Sequence, residues 1–180
     1  MSELASLALS DPLALLVNRQ CRLEDYSTVQ VPRFDVRGRF IAYCSPESTF
    51  SVTRRCVDAA RKSILIGIYD FTAPHVKELL LNAISRGVQV ALMLDVDGME
   101  ERKLFEDLDD RGVEAVAAPS CANEDRRYFA SSHEKVIVID GAWTLIQSGN
   151  YSSNSCPFNQ TDGGDPHNFV PGNRDMGIAI

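Results

Sequence analysis

From residue 39 onward, short β-prone apolar runs alternate with longer stretches whose apolar positions recur at helical spacing. Arg39 to Cys44 reads as a strand, Glu47 to Arg61 as a helix, and Ser63 to Asp70 as a continuous apolar strand. Pro74 to Arg86 is predicted helical, with proline in its first turn and Gly87 at its end. Val88 to Asp95 follows as a strand, Met99 to Arg111 as an amphipathic helix closed by Gly112, and Val113 to Ala117 as another strand. The alternation predicts an α/β domain with a mixed, largely parallel β-sheet flanked by helices. Residues 1–38 fit less well: Leu4 to Val17 is leucine-rich, yet Asp11-Pro12 breaks it and no basic leader precedes it. They read as a helical or irregular extension to a domain at 39–180, and not as a signal peptide or membrane span.

The pattern changes character between residues 133 and 150. Val136, Ile137, Val138 and Ile139 are consecutive, as in a strand covered on both faces, Asp140-Gly141 is a two-residue hairpin signal, and Ala142 to Ser148 resumes a strand. Into this apolar frame are set His133, Lys135, Ser148 and Asn150. Polar groups are expensive to bury without partners, so their presence needs a reason. His133 and Lys135 lie two apart and share a strand face. A two-residue turn would set His133 opposite Ser148 and Lys135 opposite Ile146, with Asn150 one step beyond on the His133 side. Cross-strand neighbours lie roughly 5 Å apart, so four polar groups would converge on a patch the size of a phosphate.

The run His-Glu-Lys-Val-Ile-Val-Ile-Asp from His133 to Asp140, followed by Gln-Ser-Gly-Asn to Asn150, resembles the HKD signature of the phospholipase D superfamily. That signature is H-x-K-x4-D-x6-G-S-x-N, and the one departure is Gln147 in place of glycine. Upstream, Ser63 to Thr72 and Arg86 to Asp95 are similar to the opening strand-helix-strand of that family. Downstream, Asn173-Arg174-Asp175 before Met176 resembles its closing strand. The likeness extends over residues 40 to 180 and implies a phospholipase D-like catalytic domain. It implies that His133 attacks phosphorus to form a phosphohistidine while a second histidine protonates the leaving alcohol. Imidazole suits this role because it is nucleophilic near neutral pH. The resemblance further gives Lys135 and Asn150 to the non-bridging phosphate oxygens, with Ser148 as a further donor, and Asp175 to the support of a histidine. Asp140 completes the catalytic motif, although an Asp-Gly turn is itself a structural reason for it. Neither metal nor other cofactor is implied, because side chains supply the cations.

This chemistry needs two histidines, and the chain carries one motif. Of its three histidines, His75 follows Pro74 at a helix start and is expected to be exposed. His167 lies in the polar segment Tyr151 to Gly172, whose length suits a substrate-facing lid. The chain stops within a β-prone run at Gly177-Ile-Ala-Ile180, which predicts a fragment: the first half of a two-motif enzyme whose missing half supplies the second histidine. A homodimer mate is the alternative partner.

Composition refines the substrate. The 180 residues carry a net charge of −7 and 44% hydrophobic residues, ordinary for one domain with a good core but unlike most nucleic-acid binders. Local basic clusters include Arg54-Arg55, Arg61-Lys62 and Arg126-Arg127, the last just before the motif. The balance favours a phospholipid or other small phosphodiester over nucleic acid; a non-catalytic scaffold half remains a third reading. Five cysteines without a C-x-x-C pair point to reduced thiols in a cytoplasmic setting, with no zinc site.

Overall fold

The computed structural model describes residues 35, 37–96, 98–118, 131–158 and 170–180. Ten elements follow in chain order: β1 (Ile41–Cys44), α1 (Thr49–Ala59), β2 (Ser63–Ile68), α2 (Pro74–Ser85), β3 (Gln89–Leu94), α3 (Met99–Asp110), β4 (Glu114–Ala117), β5 (Lys135–Ile139), β6 (Trp143–Gln147) and β7 (Met176–Ala179). They match the predicted elements to within about two residues at each end, the usual spread of element boundaries. Residues 1–34 and 36 of the expected extension at 1–38, the basic pair Arg126-Arg127, and His167 with the middle of the expected lid lie outside the described residues.

The seven described strands form one sheet in the order β1-β7-β6-β5-β2-β3-β4. The sheet is mixed, as expected, but parallel pairing is confined to β2–β3 and β3–β4. The other four contacts are antiparallel, so the larger parallel share expected from the helix-strand alternation is not found. The reason is local: parallel neighbours need a crossover connection, which α2 and α3 supply for these two pairs, whereas the strands joined by α1 are not neighbours in the sheet. The described helices also do not enclose the sheet. α1 packs against α2, and Lys77 of α2 reaches Asp107 of α3 at 3.0 Å, so the three described helices share one face.

Burial follows that asymmetry. Ile64, Ile66 and Ile68 of β2 are buried, whereas Leu65 and Gly67 between them are only half-buried. Ile137 and Ile139 of β5 and Leu145 of β6 continue the same layer toward Val57, Val76, Leu80 and Leu108 of the helices. No described helix is long and apolar enough to cross a membrane.

The β5–β6 hairpin differs from expectation by one residue. Asp140 and Gly141 both adopt left-handed φ, 55° and 64°, and the turn closes through Ala142 N–H donating to Ile139 O at 2.9 Å. Strand pairing then resumes with Ile139 opposite Trp143, leaving Ala142 as an extra unpaired residue. Every side chain of β6 therefore changes face relative to a two-residue turn.

Candidate active site

The site forms where β2 and β5 end together. Lys135 is the first residue of β5 and pairs with Ile68, the last of β2. It shares the helix-covered face with Ile137 and Ile139, so its stem is buried in the core layer and only its ammonium has to find polar company. The ammonium donates to His133 O at 2.8 Å and lies 5.3 Å from the centre of the Tyr69 ring. Burial pushes Lys135 below the ordinary lysine range; the Glu134, Asp70 and Asp175 carboxylates oppose that shift. An ammonium has three donors, so two remain for a ligand after the His133 bond.

His133 stands just outside the strand and is exposed. Its ring packs against Tyr69 with centroids 4.6 Å apart at 55°. Tyr69 N–H donates to Glu134 O at 3.1 Å, extending the β2–β5 ladder one step beyond the strands and bringing Tyr69 beside both His133 and Lys135.

Asn150 is delivered by a different device. Tyr151 is fully buried, with its hydroxyl 3.3 Å from Thr53 Oγ1, and burial raises its phenol far above the usual range. Its backbone pairs with the segment after β2: Tyr151 N–H donates to Asp70 O, and Thr72 and Ala73 N–H donate to Tyr151 O. This draws Asn150 to Asp70, whose Oδ2 accepts from Asn150 Nδ2 at 3.2 Å. A carboxylate only accepts, so it turns the amide's NH2 toward itself. Asn150 Oδ1 is left buried without a hydrogen-bond partner.

Ser148 does not lie opposite His133 as the two-residue turn would have it. The added Ala142 puts Ser148 out of phase, and its hydroxyl donates to Asp175 Oδ1 at 3.1 Å while accepting Met176 N–H at 3.0 Å. Asp175 thus orients a serine, and its second oxygen, Oδ2, is buried with no hydrogen-bond partner. Gly149 lies against Asp175, where a Cβ would sit 2.7 Å from the carboxyl carbon. Gln147, the departure from the signature, accepts from the Tyr43 hydroxyl at 3.1 Å and donates to Gly149 O at 2.8 Å. A side chain at 147 is therefore compatible with the local backbone.

Asp140 is placed elsewhere. It sits at the far end of β5, roughly 20 Å along an extended chain from His133. Its carboxylate accepts from the amides of Arg61 (2.9 Å), Lys62 (2.7 Å) and Ser63 (2.9 Å), tying the hairpin to the start of β2. Burial works against its charge, but the Ser63, Lys62 and Arg61 amides outweigh it and hold the carboxyl below the usual range. The structure thus places Asp140 at the hairpin and does not bring it to His133, Lys135 and Asn150.

His75 is half-buried rather than exposed: its Nε2 bonds Cys156 O at 2.6 Å and its ring meets Phe50 edge-on at 4.8 Å. Cys44, Cys56 and Cys156 are free thiols, and burial pushes Cys156 up to about 12. Among the described residues no cluster of three His, Cys, Asp or Glu side chains is placed to hold a metal ion. Tyr69 and Asp70 were not singled out from the sequence as site residues. Their signal is positional, a polar pair ending a fully apolar strand beside the motif strand.

No curated protein matches the chain. Among solved structures, the fold is similar to a phospholipase D family member, Nuc, from Salmonella typhimurium, with TM-score 0.60 and 21% identity over 79% of this chain and 82% of that one. NucT from Helicobacter pylori gives TM-score 0.59 and 17% identity over 78% and 84%. At such identities the likeness speaks for the fold. The family itself comes from the sequence: residues 54–162, more than half of the chain, match the profile described as cardiolipin synthase, PLD-like domain. With the seven-stranded mixed sheet placing His133 and Lys135 together at the mouth of β5, the chain belongs to the phospholipase D superfamily.

Proposed function

We propose that this protein is a phosphodiesterase acting on phospholipid through a phosphohistidine at His133. One observation carries the reading: an exposed imidazole stands beside a buried, charged lysine that keeps two donors free. Such a pair offers a nucleophile and a fixed counter-charge to the same phosphate. An imidazole nitrogen of His133 forms the N–P bond as the P–O bond to the leaving alcohol breaks. A second histidine, from another half or a second copy of the chain, gives the alcohol its proton. That histidine then takes a proton from water, whose oxygen displaces His133 from phosphorus. Lys135 holds the non-bridging oxygens, with the Asn150 amide alongside. Asp175 positions Ser148 and keeps a free acceptor for an imidazole N–H.

Phospholipid is favoured over nucleic acid because the charge near the phosphate seat is unfavourable to a polyanion. Asp70, Glu134 and Asp175 all act on Lys135, within a chain of net charge −7. The family profile, named for cardiolipin synthase, points the same way. The test is incubation of the full chain with phosphatidylglycerol and phosphatidylcholine vesicles and, separately, with single-stranded DNA and RNA. Release of phosphatidic acid, abolished by His133→Asn, supports the reading. Cleavage of nucleic acid alone would sink the lipid assignment, and equal activity of His133→Asn would sink the mechanism.

A further inference from the structure

The geometry points to Tyr69 as a positioning residue whose ring braces the nucleophile and the phosphate-holding lysine together. It lies opposite Glu134 at the end of the β2–β5 ladder, its amide bonded to Glu134 O at 3.1 Å. The two residues flanking Glu134 are His133 and Lys135, and the Tyr69 ring meets both. Its centroid is 4.6 Å from that of His133 and 5.3 Å from Lys135 Nζ. The first distance is that of a packed aromatic pair and the second is within cation–π range.

This placement matters most for the imidazole. Lys135 donates to the backbone oxygen of His133, which fixes the ammonium but not the imidazole. His133 is exposed and lies before the strand begins, where the ladder no longer restrains its side chain. The electron-rich face of one ring holds the ammonium and favours the imidazolium character that develops as nitrogen bonds to phosphorus. A tyrosine there sets the spacing between nucleophile and counter-charge. Misplacement of reacting groups by a fraction of an ångström is costly, so the brace acts on the rate of attack more than on substrate binding.

The inference rests on His133 being the nucleophile, and the experiment separates the two. Tyr69→Phe keeps the ring and removes the hydroxyl; Tyr69→Leu removes the ring but keeps apolar bulk. Phosphohistidine formation is followed in a single turnover of phosphatidylglycerol, and the His133 ring protons are followed by NMR in the same proteins. Tyr69→Phe is expected to stay within about twofold of the parent, and Tyr69→Leu to lose roughly five- to tenfold in rate with KM little changed. The His133 ring protons should show an aromatic ring-current shift in the parent and Tyr69→Phe that vanishes in Tyr69→Leu. Equal rates and unchanged resonances in Tyr69→Leu would overturn the brace. So would a loss in Tyr69→Phe as large as that in Tyr69→Leu, which would assign the effect to the hydroxyl. Should His133→Asn retain full activity while the NMR shift behaves as expected, the nucleophile assignment fails and the contact stands.

Discussion

Replacing Asp140 by alanine should damage the fold and spare the chemistry. Three amide donors, from Arg61, Lys62 and Ser63, converge on its carboxylate at 2.7 to 2.9 Å. Hydrogen bonds to an ionised acceptor contribute about 1.5–3 kcal/mol when dry, and water at this half-exposed hairpin cuts that to about 1 kcal/mol each. Alanine also lacks aspartate's tolerance of the left-handed φ of 55°, adding about 1 kcal/mol. The sum is about 4 kcal/mol, or roughly 8–16 °C in melting temperature for a chain of this size. Asp140→Gly relieves the backbone part and should fall about 1 kcal/mol short of that loss. Asp140→Asn keeps one acceptor and should lose about half. Urea denaturation followed by circular dichroism measures the series, and phosphohistidine formation is measured on the folded fraction. The carboxyl is held below its unfolded value, so its contribution is complete above the ordinary aspartate range and is lost as pH falls through the folded value. That acid-side loss should be absent in Asp140→Asn. A midpoint shift worth less than about 1 kcal/mol in Asp140→Ala would refute the reasoning. Loss of phosphohistidine in a variant of unchanged stability would return Asp140 to the active site.

Gly177→Ala would place a methyl group in the Tyr43 ring. It should cost about 1–3 kcal/mol by the same denaturation assay, and a neutral result would show that β1 shifts freely. Lys135 is pushed below the lysine range by burial, so activity should fall on the alkaline side at a pH below that of an ordinary lysine. There the unfolded chain binds the proton more tightly than the folded one, so stability rises across the same window and unfolding cannot explain the loss. Lys135→Met should lower turnover about 10²–10³-fold at neutral pH, and a loss under tenfold would count against its role. His75 is held below the usual histidine value by burial, against its bond to Cys156 O. Stability should therefore drop as pH falls below the ordinary histidine range and level off below the folded value, a slope that His75→Gln should flatten in pH-dependent melts.

How far the sequence discloses this molecule depends on what each feature rests on. The elements from β1 to β4 are legible because alternating periodicity, Pro74 and the two helix-ending glycines are local signals. The pairing register is not, because it turns on Ala142, an unremarkable residue whose unpaired position depends on both sides of the hairpin. That single residue separates Ser148 from His133 and gives it to Asp175 instead. His133, Lys135 and Asn150 are legible through motif spacing, but the means of holding them is not. Tyr69 and Asp70 reach them across strands, and Tyr151 brings Asn150 in from a chain segment eighty residues later than Asp70. Asp140 is part of the motif in sequence yet serves the opposite end of β5, because spacing along a strand converts directly into distance.

The covalent bond from His133 to phosphorus can be trapped directly. The full chain is mixed with phosphatidylglycerol labelled with ³²P, quenched within seconds in denaturant at alkaline pH, where a phosphoramidate survives, and digested for peptide mapping. Label should appear on the peptide carrying His133, be lost on mild acid treatment, and be missing from His133→Asn. Label on another residue, or turnover with no labelled peptide at any quench time, would contradict the mechanism.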